Sequence, residues 1–191
     1  MSSLAILILT KNEEENIVSV VRNAKACTDE VIIVDSGSTD HTVELAKQEG
    51  AVVYFRAWDD DFSAQRNFAL EKTQADWVLY LDADERLNDE LRHAVCQVVE
   101  HGTLDMQYAL TRKSVAFGVT FSYGVLYPDH VLRMFPRTQV TWVNKVHEHP
   151  ECSLPTKRLP GHIEHHTYAD WHEWEEKLCL YTTIWAEDAY K

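Results

Sequence analysis

The sequence of 191 residues is short of basic side chains: 18 lysines and arginines stand against 31 aspartates and glutamates, giving a formal net charge of −13. No segment clusters basic residues in a way that could follow a phosphate backbone, which argues against nucleic-acid binding. Cysteine is scarce too, with four residues and no Cys-x-x-Cys pair. This usage favours a reducing compartment over a disulfide framework, so we expect a cytoplasmic protein.

Long apolar runs are also missing. No stretch approaches the length of a membrane span, and no basic leader precedes the first apolar run. The chain nevertheless has the material for a core, because 45% of its residues are hydrophobic and 10% aromatic. A chain of this size and composition can fold without disulfides or a metal, and we expect one globular domain over residues 1–191.

The first half alternates short apolar runs with amphipathic stretches. The runs predict strands buried on both faces at residues 4–9, 31–34, 51–55 and 77–81. The amphipathic stretches predict helices after an Asn12 cap, after an Asp40 or Thr39 cap, over residues 63–73, and from Asn88 to Gly102. Strands that alternate with helices imply a mostly parallel sheet.

The second half has a different pattern. Shorter strand-like pieces occupy residues 107–111, 115–120 and 131–135, separated by glycine and proline, which indicates antiparallel or irregular structure. Residues 169–190 return to helical spacing, with an aromatic and apolar face made of Trp171, Trp174, Leu178, Tyr181 and Trp185. We expect this face to pack on the domain, or on a segment or subunit outside the chain, rather than on a membrane.

Polar residues follow three of the predicted strands, at residues 10–13, 35–40 and 82–85. Turn and helix-cap chemistry can explain any one of these segments. Ligands of an open parallel sheet, however, bind beyond the carboxyl ends of its strands. Three polar segments on that one edge therefore indicate a binding site.

Asp82 and Asp84 stand at the end of the apolar run 77–81. If extended geometry continues, their carboxylates lie on one face and can share a divalent ion or its bound phosphates. Asp59 and Asp61 have the same spacing but follow no buried strand, and a solvated acidic loop explains them. Carboxylate oxygens suit Mg²⁺ or Mn²⁺, and such an ion would let an acidic protein hold an anionic nucleotide.

The same segments carry a resemblance to a known family. In order and spacing, the first half resembles the successive motifs of family 2 glycosyltransferases at residues 8–13 (ILTKNE), 34–40 (VDSGSTD), 65–67 (QRN) and 81–85 (LDADE). These are inverting enzymes, and the resemblance implies a GT-A-type, Rossmann-like α/β nucleotide-sugar-binding domain with a mixed central sheet. The second half is similar to the branch of bacterial lipopolysaccharide-core β-glucosyltransferases at residues 127–129, 132–135, 146–148 and 165–168.

The resemblance implies which residues bind the nucleotide. Those lining its pocket are Thr10, Asn12, Glu13, Asp35, Ser36 and Gly37. Asp35 would accept a hydrogen bond from the base, while Ser36 and Gly37 would let the backbone approach it. Arg66 would face the donor sugar or its diphosphate. The alternative for Arg66 is a surface ion pair with the acidic residues 59–61.

The resemblance also implies a metal site for Mg²⁺ or Mn²⁺. Asp82 would contact the ribose or the metal, and Asp84 would bind the metal directly. His165 would be a further ligand, since neutral imidazole accepts Mn²⁺. His166, its neighbour, is the competing histidine.

Inverting transfer needs a single general base that takes the proton of the acceptor hydroxyl, and no covalent nucleophile. Glu148 is the candidate base, with Asp129 second. The alternative for Glu148 is a structural ion pair with Arg133 or Lys145.

The resulting prediction is an inverting, metal-dependent glycosyltransferase with a UDP-linked donor and a saccharide or glycolipid acceptor. Lipopolysaccharide core assembly is the implied setting, at the inner face of the cell membrane. Residues 1–113 would form the nucleotide-sugar-binding half, 114–168 the acceptor and catalytic half, and 169–191 the terminal helix. The rivals are a sugar nucleotidyltransferase, whose glycine-rich basic loop after the first strand is missing here, and a non-catalytic nucleotide-sugar-binding module.

Overall fold

The three-dimensional structure is a computed structural model. It describes residues 2–121, 123, 127–145 and 148–168, together with residues 171–172, 174–175, 178–179, 182–183 and 186.

Parallel strands and helices alternate through the first half, as the apolar runs predict. The strands are β1 (Leu4–Thr10), β2 (Glu30–Asp35), β3 (Val52–Phe55) and β4 (Trp77–Asp82). The helices are α1 (Glu14–Lys25), α2 (Thr42–Gln48), α3 (Phe62–Leu70) and, after β4, α4 (Asp89–His101). Strand β1 pairs in parallel with both β2 and β4, and β2 pairs in parallel with β3.

The second half makes the sheet mixed. Its strands are β5 (Glu85–Leu87), β6 (Gln107–Ala116), β7 (Val119–Thr120), β8 (Asp129–Pro136), β9 (Thr141–Val143), β10 (His149–Glu151), β11 (Thr156–Arg158) and β12 (Ile163–Tyr168). The main sheet has the order β3-β2-β1-β4-β8-β6-β12-β5, with β7 and β11 also paired to β6. Strand β8 is antiparallel to β4 and β6, while β12 is parallel to β6 and antiparallel to β5. Strands β9 and β10 form a separate small hairpin.

Strand β6 corrects one expectation. Residues 107–111 and part of 115–120 were expected to be separate pieces, but they belong to one strand that turns into β7 at Phe117 and Gly118. The polar stretch in the middle stays in the sheet because Arg112 has partners there: it pairs with Asp129 at 2.7 Å and lies 3.5 Å from Glu85.

Apolar side chains cover both faces of the central strands. On one face Ile6 and Ile33 belong to a cluster with Ile17 of α1. On the other face Leu7 belongs to a cluster with Ala69 of α3. This double burial explains why the central strands are continuous apolar runs rather than alternating patterns. It also fixes the carboxyl ends of β1, β2 and β4 as one rigid edge.

Two helix starts differ from the sequence prediction. The cap position of α1 is Glu13, which makes no side-chain cap bond, while Asn12 has a φ of 54°. The Asn12 side chain serves the next loop instead, since its Oδ1 accepts a hydrogen bond from the Thr39 N–H at 2.8 Å. Helix α2 begins after His41, and the Asp40 carboxylate accepts from the Thr42 N–H at 3.0 Å.

The described residues between 171 and 186 are helical, as their spacing predicts. The Trp171 ring stacks on Phe117 with centroids 4.5 Å apart and meets Trp174 edge-on at 5.7 Å. Tyr181 and Trp185, part of the expected aromatic face, lie outside the described residues. No helix in the described part of the chain is long and apolar enough to cross a membrane.

Candidate functional site

The three polar segments meet at one edge of the sheet. In the register of the parallel strands, Thr10 lies beside Asp35, and Leu9 lies beside Asp82. The loops that follow β1, β2 and β4 therefore leave the sheet side by side, at the edge where open parallel sheets bind ligands.

The loops after β1 and β2 are joined by hydrogen bonds. The Asn12 N–H donates to Ser38 Oγ at 2.9 Å, and the Glu13 N–H donates to Thr42 Oγ1 at 2.7 Å. These bonds hold Asn12 and Glu13 in place before α1 begins.

Asp35 is buried and organises its own turn. Its carboxylate accepts from the Gly37 N–H at 2.9 Å, from the Ser38 N–H at 3.0 Å, and from the Ser38 hydroxyl. Gly37 has a φ of 101°, a conformation that favours glycine. The hydroxyl of Thr10, beside Asp35, is buried and lacks a hydrogen-bond partner among the described residues. Such an orphaned group is one that a ligand can satisfy.

The turn between β4 and β5 is built on buried charges. Glu85 is fully buried, and its Oε2 accepts from the Asp82 N–H at 3.0 Å. One nitrogen of Arg133, Nη2, lies 2.7 Å from Asp82 Oδ2 and 3.1 Å from Glu85 Oε1. Arg66 Nη2 contacts the other oxygen of Asp82 at 3.0 Å. Both carboxylate oxygens of Asp82 are thus engaged by arginines.

These contacts change the acidity of the two carboxyls in opposite directions. Removal from water would raise the pKa of Asp82, but the positive charges of Arg133 and Arg66 outweigh it and hold that pKa well below its usual range. Burial raises the pKa of Glu85, and Arg133 only partly opposes this effect. Asp82 is therefore an ionised carboxylate at neutral pH.

Asp84 faces His165 across the end of the sheet, with Oδ2 3.3 Å from Nε2 and both side chains less than a fifth exposed. The antiparallel pairing of β5 and β12, in which Glu85 lies opposite His165, produces this contact. The side chain of His166 is exposed, while its N–H donates to the Asp84 carbonyl at 2.9 Å. His165 is accordingly the histidine whose ring lies beside Asp84.

Asp84 and His165 fit an open site for a divalent ion. Within the described ranges, no group of three or more histidine, cysteine or acidic side chains could hold a metal. Mg²⁺ and Mn²⁺ are often held by only one or two protein ligands together with substrate phosphates. A carboxylate and an imidazole nitrogen facing each other supply that minimum, whereas Asp82 already accepts bonds from two arginines.

Arg66 connects the donor side of the site to Glu148. Its side chain is only 4% exposed, and its Nη2 lies 3.2 Å from Glu148 Oε1 as well as beside Asp82. The guanidinium lies over the Trp142 ring, 4.6 Å from the centroid. Its Nη1 is buried and, in the part of the chain described, has no hydrogen-bond partner. Residues 146–147 of the motif that contains Glu148 lie outside the described residues.

This geometry decides two of the alternatives. The alternative of a surface ion pair between Arg66 and residues 59–61 is wrong, because Arg66 is buried and pairs with Asp82 and Glu148. The residue that pairs with Asp59, at 2.8 Å, is Arg56. Asp61 accepts from the Ala64 N–H at 2.8 Å and caps α3. Glu148 does form an ion pair, with Arg66 at 3.2 Å.

Asp129, the second candidate base, pairs with Arg112 at 2.7 Å. Arg112 in turn lies 3.5 Å from Glu85. Acidic and basic side chains therefore alternate without interruption from one candidate base to the other, in the order Glu148, Arg66, Asp82, Arg133, Glu85, Arg112 and Asp129.

The sequence prediction did not include Glu85 and Arg133 among the residues of this site. The signal for Arg133 was a charged residue inside the apolar segment 132–135, whose neighbours Met134 and Phe135 are fully buried. A lone charge in such a strand must find a buried counter-charge, since an unpaired one is costly. Nothing in the linear sequence identified Glu85 as that partner.

The structure is a mixed α/β domain whose polar loops meet at one edge of the sheet, and comparison with known proteins gives the family. Residues 5–153 match the family described as glycosyl transferase family 2. The chain belongs to this family, as its motifs predict.

Similar curated proteins are named as glycosyltransferases. An uncharacterized glycosyltransferase of Rickettsia typhi is 43% identical over 95 residues, which is 50% of this chain and 32% of the relative. The SPbeta prophage-derived glycosyltransferase SunS of Bacillus subtilis is 30% identical over 149 residues, covering 75% of this chain and 33% of SunS. The chain thus spans about a third of the length of these relatives.

Solved structures with a similar fold include TarS of S. aureus. A crystal structure of TarS residues 1–349 aligns with a TM-score of 0.59 at 15% identity, covering 95% of this chain and 65% of that one. A second, in complex with UDP, aligns with a TM-score of 0.51 at 20% identity, covering 71% and 47%. The prediction of a GT-A-type α/β domain with a mixed central sheet is confirmed.

Proposed function

We propose that this chain forms the catalytic domain of an inverting glycosyltransferase that moves a sugar from a UDP-linked donor to a saccharide acceptor. The observation that carries the proposal is the Asp84–His165 pair, less than a fifth exposed, at the same sheet edge as the turn built on Asp35. Because the chain belongs to family 2, we infer that this edge would receive the base, the diphosphate and a divalent ion.

The donor nucleotide would lie along the loops after β1 and β2. Asp35 and the backbone at Ser36 and Gly37 would contact the base, with Thr10, Asn12 and Glu13 around it. The buried Thr10 hydroxyl, which lacks a partner among the described residues, supports a ligand there. TarS, which has a similar fold, has been crystallised with UDP, and this supports a uridine nucleotide as the donor carrier.

Asp84 and His165 would hold Mg²⁺ or Mn²⁺, with Asp82 next to the ribose or the ion. Bound there, the ion would stabilise the negative charge of the departing diphosphate. Arg66 would add a second positive charge, since its Nη1 is a buried donor with no partner in the described ranges. The low pKa of Asp82 keeps that side chain ionised and able to hold Arg66 in position.

Glu148 is the proposed general base. Its carboxylate is one-fifth exposed, so it can be reached from solvent, and its contact with Arg66 fixes one oxygen beside the donor side of the site. A base so placed takes the proton from the acceptor hydroxyl as that oxygen attacks the sugar carbon. The attack displaces the diphosphate directly and inverts the configuration. Asp129 is the second candidate and is held by Arg112.

For the acceptor we propose a saccharide or glycolipid of lipopolysaccharide core assembly, reached by a cytoplasmic enzyme at the inner face of the membrane. The net charge of −13 would repel anionic headgroups, so any peripheral membrane contact should be weak. Co-sedimentation with anionic vesicles tests this expectation. Strong binding that is lost on Trp174→Ala in a folded variant would contradict it.

Product formation tests the proposal directly. The protein is incubated with UDP-sugars, Mn²⁺ and lipopolysaccharide core oligosaccharides, while released UDP is measured and the new linkage is examined by NMR. We expect acceptor-dependent UDP release and an anomeric configuration opposite to that of the donor. Retained configuration would contradict the inverting mechanism. Donor binding without turnover would favour a non-catalytic binding module.

A further inference from the structure

Arg86 directly follows the acidic segment 82–85. A basic residue near a diphosphate would normally bind it, but the side chain of Arg86 is engaged by the protein itself. Its side chain makes hydrogen bonds to two elements that are far apart in sequence. On one side are the turn between β4 and β5 and the start of β5. On the other side are the first two turns of α1.

The contacts to the turn use backbone oxygens. Arg86 Nη1 donates to the carbonyl of Ala83 at 2.7 Å and to the carbonyl of Glu85 at 2.8 Å. These two carbonyls flank Asp84. The guanidinium therefore holds the peptide unit that precedes Asp84 and the peptide unit that follows Glu85.

The contacts to α1 complete the set. Nη2 donates to the carbonyl of Asn16 at 2.9 Å, and Nε donates to Ser19 Oγ at 2.9 Å. Nη2 also contacts Ser19 Oγ. The five N–H groups of the guanidinium are matched by these five contacts. Arg66 differs, because its buried Nη1 lacks a partner among the described residues.

The charges around Arg86 belong to the same two segments. Burial lowers the pKa of Arg86, while the carboxylates of Asp84 and Glu13 favour its charged form. Glu13 immediately precedes α1 and is one of the residues expected to line the nucleotide pocket. The hydrogen bonds of the guanidinium thus bridge the start of α1, which follows Glu13, and the turn that contains Asp84.

We propose that Arg86 is a positioning residue of the donor site, which fixes the turn around Asp84 relative to the first two turns of α1 without touching the donor. This inference rests on the proposed function. Its consequence is that the geometry of the guanidinium fork matters and its charge alone does not suffice. Lysine, a point charge with three donors, cannot reach both carbonyls and Ser19 in this way.

The test compares Arg86→Met, Arg86→Lys and Ser19→Ala with the control Arg22→Met. Arg22 is also on α1 and pairs with Glu49, but its side chain is 68% exposed and it does not contact the turn. Two quantities are measured: hydrogen–deuterium exchange of peptides covering residues 13–19 and 82–87 in the free protein, and the dissociation constant of UDP in the presence of Mn²⁺.

We expect faster exchange in both peptides and at least a tenfold weaker UDP affinity for Arg86→Met. Arg86→Lys should resemble Arg86→Met, and Ser19→Ala should show a smaller loss of about threefold. Arg22→Met should match the wild type in both measurements. Ser19→Ala removes only one hydroxyl, so it reports on the contact even if an Arg86 variant does not fold.

Wild-type affinity and exchange in Arg86→Lys would overturn the proposal, because charge alone would then be enough. Faster exchange with unchanged UDP affinity would also overturn it and leave Arg86 a purely structural residue. If the wild-type protein binds no nucleotide, the proposed function fails. The exchange measurements on the free protein would still show whether Arg86 fixes the turn.

Discussion

Asp84 and His165 form a contact at the edge of the proposed donor site, with Oδ2 of the carboxylate 3.3 Å from Nε2 of the ring. They lie 81 residues apart in the sequence. The contact arises because β12 pairs antiparallel with the short strand β5, which begins at Glu85, the residue after Asp84. The last strand of the sheet thereby completes a site that the first four strands begin.

Replacement of Asp84 by Asn should abolish the metal-dependent part of UDP binding and leave the fold intact. The amide is close in size but loses the negative charge that attracts a divalent ion. Isothermal titration with UDP and Mn²⁺ measures the effect. Asp61→Asn is the matched control, since asparagine also caps helices and Asp61 only caps α3. A larger loss in the control would mean that the wrong acidic pair was chosen.

Replacing each of the two adjacent histidines should have very different effects on Mn²⁺ binding. His165→Ala removes the ring that lies beside Asp84, so we expect the apparent Mn²⁺ affinity in the presence of UDP to fall by about tenfold or more. His166→Ala removes an exposed side chain and should have little effect. Electron paramagnetic resonance of free Mn²⁺ measures both. Equal losses in the two variants would argue against His165 as a ligand.

Glu148→Gln should keep donor binding but lower turnover by roughly two to four orders of magnitude, the usual reach of general-base removal. Glutamine can still accept a hydrogen bond from Arg66, so the loss should be in the rate constant and not in the affinity for the donor. Steady-state kinetics and UDP titration separate the two quantities.

Asp129→Asn is the comparison for the base. Its pair with Arg112 should make it a structural residue, and we expect a smaller loss of turnover than in Glu148→Gln. An active Glu148→Gln enzyme together with an inactive Asp129→Asn enzyme would move the role of base to Asp129.

Arg133→Met should lower the free energy of unfolding at pH 7 by about 3 kcal/mol or more, because breaking a buried ion pair leaves uncompensated charge. The side chain is only 6% exposed and contacts both Asp82 and Glu85. Urea denaturation measures the change. Arg22→Met, which breaks an exposed pair, should change stability by at most about 1 kcal/mol.

The loss of unfolding free energy in Arg133→Met should depend on pH. The folded-state pKa of Asp82 is held below its unfolded value of about 3.9, so its stabilising contribution is present above that pH and is lost as pH falls towards the folded pKa. The difference between wild type and variant should therefore be largest near neutrality and narrow below about pH 4. If the difference in unfolding free energy between wild type and variant instead widens in acid, Asp82 is not the ionised partner of Arg133.

The first half of the fold could be predicted from the sequence because strands that are buried on both faces are written as continuous apolar runs. The segment 77–82 is apolar until Asp82, and the strand ends there because the next residues turn. The family motifs predicted that the candidate donor-binding residues lie on the same edge of the sheet. The polar ends of β1, β2 and β4 then followed from parallel pairing alone.

The second half could not be derived in the same way, because its strands depend on partners distant in sequence. Strand β12 contains Glu164, His165 and His166, a polar run that carries no strand pattern, and it is ordered by pairing with β5 and β6. Arg133 is likewise stable inside the sheet only because Asp82 and Glu85 are there to receive it. Linear spacing does not record such contacts.

The most direct test of the account is the thermal and chemical stability of the wild-type protein with UDP-sugars, with Mn²⁺ present or removed by EDTA. Ligand at 100 times its dissociation constant should add about 2.7 kcal/mol to the free energy of unfolding. The account predicts this gain for a UDP-sugar with Mn²⁺ and its loss in EDTA. Equal stabilisation in EDTA, or none by any UDP-sugar, would contradict a metal-dependent UDP-sugar site at Asp84 and His165.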